Sequence, residues 1–185
     1  MQAESEVVLV QINIQLLPAQ REAIFEAPLT AALAGRGEIR GGGTMQNDQG
    51  EITYCDLELS VPAATDELIR FLVETLEALG APKKSMITVP GRQFELTFGK
   101  AEGLAVYLDG VGLPEETYRD CDPNVVYEEF ERLLEGAGRI WSFWQNPTET
   151  AFYIYGGSFA IMKERLDPFL ARYPLCANCR VVQLA

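Results

Sequence analysis

Two short glycine joints constrain the fold of this chain more than any other feature. Gly35-Arg36-Gly37-Glu38-Ile39 and Gly136-Ala137-Gly138-Arg139-Ile140 share a Gly-x-Gly-x-Ile pattern. Each follows a helical stretch and opens a strand, and each sits at the same place in a half with the same order of elements. A glycine just past the last helical residue is a natural stop, because it takes up a left-handed backbone without steric cost. The repeated joint therefore predicts a duplicated architecture.

The periodicities around the joints fill in the rest. Val8, Val10, Ile12, Ile14 and Leu16 alternate with Leu9, Gln11, Asn13 and Gln15, the pattern of a strand over residues 7–17 with one buried face. Pro18 opens a helix to about Leu33, which Pro28 is expected to kink or break. A short strand over residues 38–40 leads to Gly41-Gly42-Gly43, then to the turn Asn47-Asp48-Gln49-Gly50 and a strand over residues 51–61. Thr65 or Asp66 caps a helix with Leu68, Ile69, Leu72, Val73, Leu76 and Leu79 on one side, and residues 85–90 close the half. The order is β-α-β-β-α-β. It recurs with a strand over 104–108, a helix over 125–134, a hairpin of 139–144 with 151–155, a helix from about Ser158 and a strand over 180–184. The expected fold is α+β: two tandem ferredoxin-like (βαββαβ) modules with antiparallel sheets, packed on each other. Residues 1–90 form the first module and 104–185 the second, with 91–103 as a bridge whose Phe94, Leu96 and Phe98 suggest an extra strand.

Composition excludes several chemistries. Among 185 residues there are 15 basic and 27 acidic side chains, a formal charge of −12, and no histidine. Without histidine there is no Ser-His or Cys-His catalysis and no imidazole metal ligand. The acidity opposes nucleic-acid binding, which relies on neutralising phosphates. Apolar runs such as Val7-Val8-Leu9-Val10 are too short to span a membrane, and Glu4 and Glu6 do not suit a signal peptide. Four cysteines are too few for a disulfide scaffold of this size, so the expected setting is a reducing cytoplasm, in a compact, linker-poor chain of a kind common in bacteria. No cofactor and no metal are expected.

Each local motif has a bland reading that fits better. Cys176-Ala177-Asn178-Cys179 follows a helix and precedes a strand, the reverse of a redox pair, and zinc would need Cys55 and Cys121 as well. Asp120, Asp122, Asn124 and Glu131 occupy the first, third, fifth and twelfth places of a calcium loop, but Val125 stands where the sharp turn needs glycine. Asp122-Pro123 reads instead as a helix cap followed by proline. The stretch from Gly35 to Gly43 lies between strands and lacks the lysine of a phosphate loop, so a bulged or mobile hairpin fits it, with Arg36 and Arg40 leaving a weak anion site. Trp141, Phe143 and Trp144 with Phe152, Tyr153 and Tyr155 make both faces of the second hairpin apolar. Such aromatics are similar to those of RNA-recognition modules, but the basic-aromatic motif is absent and the charge is of the wrong sign.

The placement of charge is the most informative feature. Between Glu102 and Glu135 stand ten acids and two bases, so −8 of the −12 falls in this stretch. Helix-dipole compensation explains acids at one helix start, but less easily the loop from Asp109 to Asp122, which carries Leu113 and Tyr118. The expectation is a non-catalytic protein that binds a basic partner through Asp109, Glu115, Glu116, Tyr118, Asp120, Asp122, Glu128, Glu129 and Glu131, as an inhibitor or immunity-type protein would occlude the basic active site of a toxin such as a nuclease. The alternative is a small-molecule-binding regulatory module with an aromatic pocket between the sheets, at Trp141, Trp144, Tyr153 and Tyr155. A histidine-free enzyme would need paired carboxylates such as Asp109 with Glu115 or Glu116.

Overall fold

The computed structural model describes residues 5–185, and Glu4 lies outside them. The chain divides into two compact units, one running to Ala101 and the other from Glu102 to Ala185. The first contains β1 (Glu6–Ile12), α1 (Pro18–Arg21), α2 (Ala27–Leu33), β2 (Glu38–Gln46), β3 (Ile52–Val61), α3 (Asp66–Ala78), β4 (Ser85–Val89) and β5 (Phe94–Phe98). The second contains β6 (Glu102–Asp109), α4 (Glu115–Asp120), α5 (Pro123–Leu133), β7 (Gly138–Gln145), β8 (Glu149–Gly156), α6 (Phe159–Leu170) and β9 (Arg180–Gln183).

The strand orders are β2-β3-β1-β4-β5 and β7-β8-β6-β9, with every named pair antiparallel. Without β5, both are the same arrangement, with the first strand in the middle and the hairpin on one side. These are two tandem ferredoxin-like modules. Residues 94–98, within the stretch read as a bridge, form the fifth strand of the first sheet, paired along β4 from Ser85↔Phe98 to Val89↔Phe94.

The joints explain why the halves match. Gly35 and Gly136 both have positive φ, the left-handed turn that ends the helix. The second glycine of each joint is needed for close approach. A Cβ on Gly37 would lie 2.8 Å from Val61 Cγ1, and one on Gly138 would lie 2.5 Å from Met162 Sδ. Past each joint the pairing slips, between Ile39 and Gly41 in β2 and between Ile140 and Ser142 in β7. The two modules also share a clamp. Glu6, first residue of β1, accepts the Ala64 N–H at 2.6 Å just before α3, and Glu102, first residue of β6, accepts the Phe159 N–H at 2.6 Å at the start of α6. Glu6 is held in turn by a two-pronged pair with Arg92.

Each sheet buries one face under its own helices. In the first unit Val8, Val10, Ile12, Leu57, Leu59, Val61, Ile87 and Val89 are buried, as are Phe25, Leu29, Leu33, Ile69, Leu72 and Leu76 of the helical segments. In the second, Leu104, Val106, Phe152 and Ile154 cluster with Val126, Phe130, Met162 and Leu166. The caps expected at Thr65 and Asp122 are present, accepting N–H groups from Leu68 and Asn124. Ser158, where a helix is expected to begin, caps it by accepting the Ile161 N–H.

Four local expectations are corrected. β1 stops at Ile12, because Asn13 and Gln15 turn to other partners: the Asn13 N–H donates to Ser85 Oγ and the Gln15 side chain to the Thr53 carbonyl. Ile14 and Leu16 are nevertheless buried. Pro28 does not break its helix. A π-helical turn over Glu22–Glu26 joins α1 to α2, and its wider hydrogen-bonding, such as Ala27 N–H to Glu22 O, places Pro28 in the first turn of a new segment. Gly41, Gly42 and Gly43 are not a loop but the middle of β2. The stretch after Asp109 is not all loop either, since Glu115–Asp120 forms α4.

Phe130 is fully buried between Phe152, 5.6 Å away centroid to centroid, and Phe169, 6.0 Å away. Replacing Phe130 by Ala should cost about 3–5 kcal/mol, read as a lower urea midpoint with an unchanged slope.

Candidate functional site

The acids of the second unit divide into those consumed by the fold and those left on the surface. Asp109, at the end of β6, bends the chain: its Oδ1 accepts the N–H groups of Val111 at 2.9 Å and Gly112 at 2.7 Å. Its Oδ2 accepts from Asn178 Nδ2 at 3.0 Å. These donors, the Val111 N–H foremost, hold the carboxyl below the usual range. Tyr118 supports the same loop, its hydroxyl accepting the Leu113 N–H and donating to the Asp109 carbonyl. Asp122 caps α5, and the Tyr173 hydroxyl brackets its backbone, donating to the carbonyl at 3.0 Å. Glu129 pairs with Arg132, Asp120 with Arg119, and Glu131 Oε1 accepts the Ile140 N–H.

Glu115, Glu116 and Glu128 are different. They are exposed and take part in no salt bridge among the described residues. Glu128 stands on α5, which packs against β7, and these two elements carry aromatic groups that the fold does not bury. Tyr127 on α5 is 43% exposed and Phe143 on β7 is 58% exposed. The two share a neighbour: the Tyr127 ring lies 6.4 Å from Phe152, and Phe143 is the register partner of Phe152. β7 is an edge of its sheet. The result is an aromatic spot on a sheet edge, beside an acidic helix.

The residues expected to line an aromatic pocket sit elsewhere. Tyr153 and Tyr155 are 1% and 2% exposed, on the face of the sheet away from its helices. Trp141 lies at the bulge in β7, edge-on to Tyr155 at 6.0 Å and beneath the Arg139 guanidinium. Trp144 is half-buried opposite Ala151.

The cysteine and calcium patterns occupy ordinary structural positions. Cys55, Cys121, Cys176 and Cys179 are free thiols. Burial pushes the Cys176 thiol up to about 12 and raises Cys179 as well, the opposite of a reactive pair. Among the described residues no group of three or more cysteine, aspartate or glutamate side chains could hold a metal ion. No helix among them is long and apolar enough to cross a membrane.

A second site was not anticipated from sequence. On the first unit, the sheet face away from the helices holds a groove of about 550 Å³ lined by Leu9, Gln11, Tyr54, Asp56, Glu58 and Met86, with Gly41 and Gly43 along one side. The signal was present: Tyr54, Asp56 and Glu58 alternate with the inward Cys55 and Leu57, and this polar row faces the glycines of the neighbouring strand.

No family model and no curated protein sequence matches the chain. Several solved structures align over nearly its whole length at low similarity. One is an unknown protein from Galdieria sulphuraria, at 12% identity and TM-score 0.31 over 97% of this chain and 98% of that one. Another is the first two RRM domains of yeast poly(U) binding protein, at 16% and 0.25 over 96% and 99%. A third is the regulatory subunit of aspartate kinase from Thermus thermophilus, at 13% and 0.27 over 88% and 92%. The fold assignment stands on the strand order and register of this chain.

The Asp109 bonds give a pH prediction. Its folded carboxyl titrates below the unfolded value of about 3.9, so its contribution is complete above that pH and is lost as pH falls through the folded value. Asp109→Asn should lower Tm at pH 7, and the gap from wild type should narrow toward pH 2 (both values roughly set by the carboxylate range).

Proposed function

We propose that this chain is a non-catalytic protein-binding protein whose second unit meets a basic partner through its acidic surface, as an inhibitor or immunity-type protein does. The observation that carries the reading is the set of exposed acids on α4 and α5 together with the exposed rings of α5 and β7. Glu115, Glu116 and Glu128 are exposed carboxylates outside any described salt bridge, and Tyr127 and Phe143 lie half in solvent next to one another's shared neighbour. Aromatic anchors bounded by like charges are the composition of a recognition surface, with the anchors supplying buried area and the charges supplying steering. The opposite sign of charge is then required of the partner.

Asp109, Tyr118 and Asp122 serve the site indirectly, by fixing the loop and the start of α5. The free thiols suit a reducing compartment, which we take to be the cytoplasm. A regulatory small-molecule module using Trp141, Trp144, Tyr153 and Tyr155 has less support, because Tyr153 and Tyr155 have almost no exposed surface.

The test is capture from the native host followed by kinetics on the partner identified. The partner should have a pI above about 9 on the contacting domain. Association should slow steeply between low and physiological salt. Glu115→Gln, Glu116→Gln and Glu128→Gln together should lower the association rate roughly tenfold with little change in Tm. A partner bound equally well by the triple variant, or a partner without a basic surface, overturns the reading.

A further inference from the structure

The glycines of β2 hold an unexplained feature. Gly41, Gly42 and Gly43 stand in the middle of a nine-residue strand, where glycine weakens packing and adds chain entropy to be lost on folding. None of the three has the positive φ that would call for glycine. Gly42 is required by space, since a Cβ there would lie 2.8 Å from the Asp56 carbonyl and 3.1 Å from Leu57 Cδ2. A Cβ on Gly43 would lie 2.8 Å from Asp56 Oδ1, so a side chain there would displace the carboxylate. Gly41 is required by nothing within the fold: a Cβ there meets no atom within 4 Å.

The register shows what lies beside them. On the face away from the helices, Gly41 pairs with Glu58, and Glu58 with Leu9. One row over, Gly43 pairs with Asp56, and Asp56 with Gln11. Two carboxylates on alternate residues of β3 thus each have a bare glycine on one side. Neither belongs to a described salt bridge. β2 is the edge of the sheet, so the path over the two glycines to the carboxylates starts from an unpaired strand edge. The groove of about 550 Å³ lies over this patch, and Leu9, Met86 and the Tyr54 ring add apolar surface to it.

We infer that this face docks an extended basic segment of a partner protein, which runs along β2 and lays alternate Lys or Arg side chains over Gly41 and Gly43 onto Glu58 and Asp56. Charge complementarity selects the occupant: two carboxylates with no counter-ion among the described residues call for cations. The rest of the lining selects a side chain in place of a bare ion. Lysine and arginine lay their aliphatic stems on apolar surface and carry the charge at the tip. An added strand supplies the spacing as well, since its side chains on one face recur at every second residue, as Gly41 and Gly43 do. A side chain at position 41 or 43 would block the path. The site is separate from the acidic surface of the second unit and does not depend on it.

Fluorescence anisotropy with a labelled Thr-Lys-Val-Lys-Val-Thr peptide tests this directly. The peptide should bind saturably, and its Glu-for-Lys counterpart should not. Asp56→Asn with Glu58→Gln should weaken binding at least about tenfold, with the loss shrinking at high salt. Gly41→Val should abolish binding while leaving Tm equal or higher, because the added side chain meets open space and suits a strand. Glu115→Gln, Glu116→Gln and Glu128→Gln should leave peptide binding unchanged, which separates this site from the one on the second unit. The inference is overturned by no saturable binding up to roughly millimolar peptide. It is overturned equally by binding that survives both first-unit variants, or by N-acetyl-lysine methylamide binding as tightly as the peptide, which would mark a site for small cations instead.

Discussion

A βαββαβ module covers one face of its sheet and leaves the other to be settled by its sequence. The helices of each unit bury the alternate residues of the middle strands, Val8 and Val10 in one and Leu104 and Val106 in the other. With side chains alternating strictly along a strand, the remaining residues must point away from that core. The two halves use them differently. In the second unit the far face carries Ala105, Ala151, Tyr153 and Tyr155, all buried. In the first it carries Leu9, Gln11, Asp56 and Glu58 around an open groove. One architecture therefore presents two chemically distinct surfaces.

The acidic stretch illustrates how little net charge says about a site. Of its carboxylates, Asp109 and Asp122 accept backbone N–H groups and Glu129 is paired with Arg132. Arg132 cancels the charge of Glu129 at a distance, while Asp109 and Asp122 keep theirs but have oxygens already engaged by N–H donors. The carboxylates that remain are concentrated on α4 and α5, and α5 also carries the exposed ring of Tyr127. The recognition surface is smaller than the acidic segment, and it includes aromatics that a charge count does not see.

Much of the local structure was legible because its causes are local. The caps at Thr65, Asp122 and Ser158 act on N–H groups two or three residues away. The paired joints act through a left-handed glycine and a glycine under close packing. What went unseen depends on distant partners. β1 ends at Ile12 because Ser85 and Thr53 take the side of the chain that would have continued the ladder. The three glycines of β2 read as a loop because glycine disfavours strands, yet long pairing with β3 holds them extended. The helix through Pro28 survives by a π-helical turn that no pattern of apolar residues encodes.

The sequence by itself determined the duplicated βαββαβ order, its caps and the concentration of acid in the second half, since periodicity, capping chemistry and composition are all properties of neighbours in the chain. Only the tertiary structure decided which acids gain distant partners and which face solvent, because that depends on where Asn178 and Ile140 are brought. It also decided that Asp56 and Glu58 lie beside Gly43 and Gly41. Strand pairing sets that neighbourhood, and a shift of one residue in register would have turned both carboxylates toward the core.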